Sequence, residues 1–216
     1  MDKIVCVGKN YLEHALELGD PVPEQPVLFL KPPSVLKRVH AWEEAVTLSL
    51  PEEDIHYEAE IVLALSKGGY RLSTEDALSC LGGVSLGLDM TLRTRQAKLK
   101  QAGHPWTTAK VFPDAALVGP VISLADFPGY LNEPFSFSLN GALKQRALGT
   151  EMGYSPIRLI SYISHFFPLM PGDLIFTGTP AGVGSVKSGD QARLAWGEKY
   201  GYDILFTDVY WKNDRE

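Results

Sequence analysis

Glu58 and Glu60 stand two residues apart in Ile55-His56-Tyr57-Glu58-Ala59-Glu60-Ile61, and an apolar run to Leu65 follows directly. In an extended chain alternate side chains share a face, so His56, Glu58 and Glu60 point one way and Tyr57, Ala59 and Ile61 the other. Two carboxylates on one face of a buried strand raise each other's pKa unless a cation lies between them. A Glu-x-Glu pair alone is more often a strand face open to water. Asp89 alters that balance, because it ends the apolar stretch Val84-Ser85-Leu86-Gly87-Leu88 and precedes a helix. Three carboxylates with open positions suit Mg²⁺ or Mn²⁺, which prefer oxygen and keep sites for water or substrate. Zinc spacing is absent, with neither HExxH nor paired cysteines. Taken alone, Asp89 would read as a helix N-cap.

Several further residues could serve such a centre. His14 and Glu17, three apart on an expected first helix, share a face, and a carboxylate-oriented histidine can activate water as a general base. A surface ion pair would have the same spacing. Lys110 lies in Trp106-Thr107-Thr108-Ala109-Lys110-Val111-Phe112 and either snorkels to the surface or serves a site as a fixed positive charge. Arg93 and Gln96 lie one to two turns beyond Asp89 and could border the site. The other basic residues of that helix, Arg95, Lys98 and Lys100, read mostly as a solvated face. The stretch Thr177-Gly178-Thr179-Pro180-Ala181-Gly182-Val183-Gly184 is a glycine-rich turn after a strand. Its N–H groups and threonine hydroxyls could receive a carboxylate, and a structural hairpin is the alternative. Gly83-Val84-Ser85-Leu86-Gly87 matches a nucleophile elbow, with His165 downstream. Alternation runs straight through Ser85, however, so the match reads as chance.

The elements that must position these groups follow from the apolar pattern. Strands are expected over residues 3–7, 27–30, 55–65, 84–88, 135–139 and 174–177, and helices over 10–18, 91–101 and 156–167. Asn140-Gly141 signals a tight hairpin, and the C-terminal part reads as further hairpins. Many short strands with about three helices point to a sheet-dominated α+β fold. With 216 residues and no linker-like shift in composition, a single domain over 1–216 is expected.

A net charge of −6 argues against nucleic acid as a partner, so any anionic substrate must meet local positive charge. Cys6 and Cys80 are far apart and read as small buried hydrophobes. No apolar run is long enough to span a membrane, and only four apolar residues, Ile4 to Val7, follow the N-terminal Met1-Asp2-Lys3. A cytoplasmic location with no membrane partner is expected.

Read in order, the motifs resemble the fumarylacetoacetate hydrolase family, specifically its short single-domain acylpyruvase-like branch. They are Val7-Gly8-Lys9-Asn10-Tyr11 with His14, Leu28-Phe29-Leu30-Lys31-Pro32, His56-Tyr57-Glu58-Ala59-Glu60, Leu88-Asp89-Met90-Thr91 and Pro105-Trp106-Thr107 with Ala109-Lys110. Pro171-Gly172-Asp173 and Thr177-Gly178-Thr179-Pro180 with Gly182-Val183-Gly184 complete the set. The resemblance implies Glu58, Glu60 and Asp89 as metal ligands, His14 with Glu17 as a water-activating pair on a mobile lid, and Lys110 as a catalytic cation. It matches Gln96, Lys110 and Thr179 to substrate contacts, with Lys31 as a further candidate, while Arg93 is a substrate-binding candidate from its position on the helix. It also implies a mixed β-sandwich roll of the family's C-terminal domain type, a homodimer, Mg²⁺ or Mn²⁺ as cofactor, and a small 2-oxo acid substrate. The expected reaction is hydrolysis of a C–C bond in an acylpyruvate-type 2,4-dioxo acid. The alternatives are oxaloacetate tautomerisation or decarboxylation, or isomerisation or decarboxylation of a 2-oxo dioic acid from aromatic catabolism. Two departures bear on substrate. Lys110 is followed by Val111-Phe112-Pro113-Asp114-Ala115-Ala116-Leu117, where relatives have a small residue and Ser/Cys-Pro. Gln145 is followed by Arg146-Ala147-Leu148-Gly149-Thr150, where they have Gly at 147 and Thr at 149.

Overall fold

The structure, a computed structural model, describes residues 1–11 and 24–208. The expected helix over residues 10–18, with His14 and Glu17, lies almost wholly outside the described residues.

Three sheets make up most of the molecule. The largest has the order β2 (Val27–Lys31), β1 (Ile4–Gly8), β13 (Leu174–Phe176), β6 (Ala59–Leu65), β7 (Leu81–Asp89), β9 (Ala116–Val118) and β3 (Leu36–Arg38), with β10 (Ile122–Ser123) also paired to β7. A five-stranded sheet runs β12 (Ala142–Ala147), β11 (Phe135–Leu139), β15 (Gln191–Trp196), β16 (Tyr200–Asp208) and β4 (Ala45–Leu50). The smallest holds β14 (Gly184–Val186), β5 (Ile55–Tyr57) and β8 (Thr91–Leu92). β1 pairs parallel with β13, β3 with β9 and β4 with β16, whereas the other ladders are antiparallel. This is the sheet-dominated α+β class read from the sequence.

The two larger sheets share a core. Ile61 and Leu63 of β6 and Leu86 and Leu88 of β7 belong to one apolar cluster with Phe135, Phe137, Leu194, Trp196 and Tyr202 of the five-stranded sheet. The Tyr202 hydroxyl donates to Leu86 O at 3.1 Å and so stays satisfied inside that core. Ile4, Cys6, Val62 and Phe176 point into a second cluster on the opposite face. β6 is therefore buried on both faces, and its near-continuous apolar reading follows.

Helices are few. α1 (Thr74–Cys80) starts at Ser73, whose side chain accepts from Asp76 N, and it packs on α4 (Pro156–Ser164). α2 (Arg93–Gln101) and the single turn α3 (Thr107–Lys110) lie against each other beside β8. The hairpin at Asn140-Gly141 forms as expected, with φ of 51° and 78° at the two turn residues.

Two expectations need correction. The strand expected over residues 55–65 is two strands in two sheets, broken at Glu58: Tyr57 pairs with Gly184, whereas Ala59 pairs with Leu88. The helix expected from Thr91 starts at Arg93, because Thr91 and Leu92 pair with His56 and Ile55 as β8.

Candidate metal centre and its cleft

Glu58 is the residue at which the chain leaves the small sheet for the large one. Backbone anchors fix the crossing: Asp89 N donates to Glu58 O at 2.9 Å, and Ala59 N donates to Gln145 Oε1 at 3.0 Å. Glu60 follows on β6, and Asp89 closes β7 beside it. Glu58, Glu60 and Asp89 each place a carboxylate oxygen within 4.8 Å of the others, and all three are buried.

Cations surround these carboxylates. Lys110 Nζ donates to Glu58 Oε2 at 2.9 Å, Asp89 Oδ2 at 2.8 Å and Thr91 Oγ1 at 2.6 Å. Lys31 Nζ donates to Met90 O at 2.9 Å and Ala115 O at 2.5 Å, and it lies 2.5 Å from Asp89 Oδ1. Arg93 pairs with Glu58 Oε1 and donates from Nη1 to Gln96 Oε1 at 2.7 Å. Burial disfavours the charged form of Lys110, but the Asp89 and Glu58 carboxylates outweigh it and raise its pKa. Burial pushes Glu60 well above the usual carboxylate range, and the charges of Asp89 and Glu58 push it further, against the N–H of Gly178 and the Lys110 ammonium.

The third wall is the turn after β13. Gly178 N donates to Glu60 Oε2 at 2.6 Å, with Gly178 at φ 101°. A Cβ there would stand 2.9 Å from Asn10 Cβ and 3.1 Å from Val7 O, so only glycine brings this N–H to the carboxylate. The Thr179 hydroxyl donates to Ala59 O at 2.9 Å and accepts from Gln145 Nε2 at 2.8 Å. Gln145 also donates to Pro180 O at 2.9 Å. One buried amide thus ties β12, the Glu58 crossing and the Thr179 turn together.

The donors are all carboxylate oxygens, the set that Mg²⁺ and Mn²⁺ favour. Asp89 Oδ1 is buried and, among the described residues, has the Lys31 ammonium at 2.5 Å but no hydrogen bond. A buried carboxylate oxygen without a hydrogen bond is suited to a cation. The residues present fit the ion.

A cleft of about 440 Å³, its open mouth included, reaches the three carboxylates. Its lining includes Arg93, Gln96, Lys110 and Thr179, all candidates from the sequence, as well as Lys9, Lys100, Phe29 and Trp106. Lys31 is not among the lining residues and stands behind Asp89 instead. His56 does not join the carboxylates, because the alternation that aligned it with Glu58 ends at the crossing. Its Nε2 lies 3.3 Å from Asp54 Oδ1. Ser85 sits fully buried in the middle of β7 with its hydroxyl on Leu86 O, and His165 is bonded to Ser161 O, so neither forms a nucleophilic pair. Gln145, Lys9 and Lys100 were missed as site residues. Lys100 had a signal, since it continues the spacing of Arg93 and Gln96 on one helix face; Gln145 had none, because its partners are far away in sequence.

A family model described as fumarylacetoacetate (FAA) hydrolase C-terminal matches residues 3–202. An oxaloacetate tautomerase of Escherichia coli (strain K12) is 37% identical over 199 residues, covering 91% of this chain and 89% of that protein. A mitochondrial oxaloacetate decarboxylase of Dictyostelium discoideum is 36% identical over 187 residues, covering 87% and 85%. The crystal structure of fumarylpyruvate hydrolase from Pseudomonas aeruginosa in complex with Mn²⁺ and pyruvate superposes with a TM-score of 0.85, at 34% identity over 97% of this chain and 91% of that one. A Yersinia pestis CO92 structure ascribed to the same family gives a TM-score of 0.89 at 33% identity, covering 95% and 93%. A family match that spans nearly the whole chain, and relatives alike in sequence and fold over most of their length, lead to one conclusion: this chain belongs to the fumarylacetoacetate hydrolase family and is an enzyme.

Proposed function

We propose that the chain acts on a small 2-oxo acid held at a divalent cation, Mg²⁺ or Mn²⁺, by Glu58, Glu60 and Asp89, and that it interconverts the oxo and enol forms of an oxaloacetate-type substrate. The observation that carries this reading is the buried all-oxygen triad at the floor of a cleft, with the Lys110 ammonium fixed against two of its three members. When bound, the cation supplies Lewis acidity that polarises a 2-oxo group and acidifies the neighbouring C–H.

The side chains divide the remaining work. Lys110 Nζ, held against Glu58 and Asp89, would supply positive charge beside the substrate where negative charge develops. Gln96 Oε1 is occupied by Arg93, which leaves its Nε2 to donate to a substrate carboxylate. Thr179 commits its hydroxyl proton to Ala59 O, so what its side chain offers the cleft is a lone pair. The proton carrier at carbon is then assigned to His14, oriented by Glu17.

A second reading, hydrolysis of an acylpyruvate, has its own support in the Pseudomonas aeruginosa relative solved with Mn²⁺ and pyruvate. It needs an activated water, which enolisation does not. Both reactions are therefore measured on one preparation, stripped with chelator and reloaded with Mn²⁺. The proposal expects turnover of oxaloacetate enol only after reloading, with His14→Ala lowering acylpyruvate hydrolysis by about a hundred- to ten-thousandfold. Full activity of the stripped enzyme would overturn the metal-centred reading. Hydrolysis of an acylpyruvate with no effect on oxaloacetate tautomers would put the second reading in first place.

A further inference from the structure

Two openings in the surface share a wall. The cleft above the triad has Val7, Phe29 and Trp106 on its apolar side. Behind them lies a larger groove of about 1440 Å³, open solvent included, whose lining includes Leu28, Leu30, Pro33, Pro105, Val111 and Phe167. Among the described residues only Phe29 and Trp106 border both. The two rings are held from different elements. Phe29 stands on β2 opposite Cys6 of β1 and packs on the apolar cluster of Ile4, Cys6 and Phe176. Trp106 precedes α3, and its carbonyl accepts from Ala109 N at 2.8 Å and Lys110 N at 3.1 Å. Trp106 and Lys110 are thus four residues apart across one helical turn, on the same side. The ring centroids of Phe29 and Trp106 are 5.9 Å apart at 60°, an edge-to-face contact. A Cβ on Gly8 would stand 3.6 Å from Trp106 Cζ3, so the gap between the indole and the end of β1 holds a methyl group and little more.

Nearness to the triad gives the pair its consequence. Lys110 Nζ, which touches Glu58 and Asp89, lies 4.8 Å from the centre of the Phe29 ring. The apolar wall therefore begins about one ammonium group away from the carboxylates. A 2-oxo acid at the triad has room on that side for only a short group beyond its oxo carbon. The groove behind would bury several more carbons, and the two rings keep them out.

We propose that Trp106, backed by Phe29, determines specificity by length: the indole excludes 2-oxo acids whose apolar tail extends toward β2. This rests on the 2-oxo acid reading above and narrows it to substrates with a short group beyond the oxo carbon. Removing the indole would join the cleft to the groove and admit longer tails.

The test uses unreactive N-alkyl oxamates, which carry one 2-oxo acid-like head on tails from methyl to hexyl. Their binding to Mn²⁺-loaded full-length protein is read by calorimetry and by displacement of Mn²⁺-bound water. The wild type is expected to gain less than about threefold in affinity from methyl to hexyl. Trp106→Ala, at unchanged Mn²⁺ affinity, should gain roughly tenfold or more over the same series, since each methylene fully buried in an apolar site is worth about fourfold. Trp106→Leu keeps an apolar side chain without the ring and should gain in the same direction by less, which serves if the Ala variant fails to fold. Leu30→Glu added to Trp106→Ala puts a charge in the groove and should cancel the gain while leaving N-methyloxamate binding unchanged. A tenfold gain in the wild type, a wild-type profile in both Trp106 variants, or a gain that survives Leu30→Glu would overturn the wall while leaving the 2-oxo acid reading standing. If N-methyloxamate did not bind the loaded wild type, that reading would fall and the wall's role with it.

Discussion

At the scale of single residues the centre is a balance of buried charges. Asp89 faces two ammonium groups, Lys110 at 2.8 Å and Lys31 at 2.5 Å, and is almost wholly buried. Removing one partner of a buried ion pair strands the other and costs about 3–5 kcal/mol. Asp89→Asn is therefore expected to weaken Mn²⁺ binding by roughly a hundredfold or more and also to lower the stability of the metal-free protein by several kcal/mol. Calorimetry and denaturant melts in chelator report the two effects separately, and unchanged Mn²⁺ affinity would refute the ligand assignment. The carboxylates were legible in the sequence because charged residues inside apolar runs require a reason. Lys31 was harder to place, since a lysine closing a strand looks the same whether it faces substrate or supports an aspartate from behind.

Among the elements, the decisive one is the crossing between β5 and β6. It was not legible, because residues 55–65 keep an apolar pattern on both sides of Glu58 and a change of sheet leaves no mark in periodicity. What holds it is Gln145 on β12, through Ala59 N, Thr179 Oγ1 and Pro180 O. Gln145→Met keeps the volume but loses all three bonds. It is expected to lower Mn²⁺ affinity by about ten- to a hundredfold, as loss of a partner behind metal ligands does. Spin resonance of Mn²⁺ would read the change, with circular dichroism confirming the sheets. A second tie secures β1. Asp173 Oδ1 accepts from Asp2 N and Lys3 N, while its Oδ2 accepts from Met170 N and Lys3 Nζ. Burial alone would raise the pKa of Asp173, but these bonds outweigh it and lower the value. The stability they contribute is complete above the unfolded pKa of about 3.9 and is lost as pH falls through the lowered folded value. Asp173→Asn should thus cost about 2 kcal/mol at neutral pH and almost nothing in strong acid, a convergence that melts at both pH values would test.

The whole molecule draws the site's charged groups from β2, the β5–β6 crossing, β7, α2 and α3, so a bound cation would tie the segment that leaves β5 to the one that enters β8, at one end of the small sheet. Mn²⁺ at a hundred times its dissociation constant is expected to stabilise the fold by about 2.7 kcal/mol, and Asp89→Asn should cut that gain to about 0.4 kcal/mol or less at the same Mn²⁺ concentration. Among the described residues no helix is long and apolar enough to cross a membrane. The seam between sheets has one more consequence, which concerns exchange of amide hydrogens with solvent. Asp89 N–H is held by Glu58 O and Ala59 N–H by Gln145, so both protons sit on the crossing itself. They can be released only when the two sheets part at Glu58, and that opening also scatters the carboxylates. Their exchange rates should therefore fall together, by one common factor, when Mg²⁺ is added, while amides at the far end of β16 keep their rates.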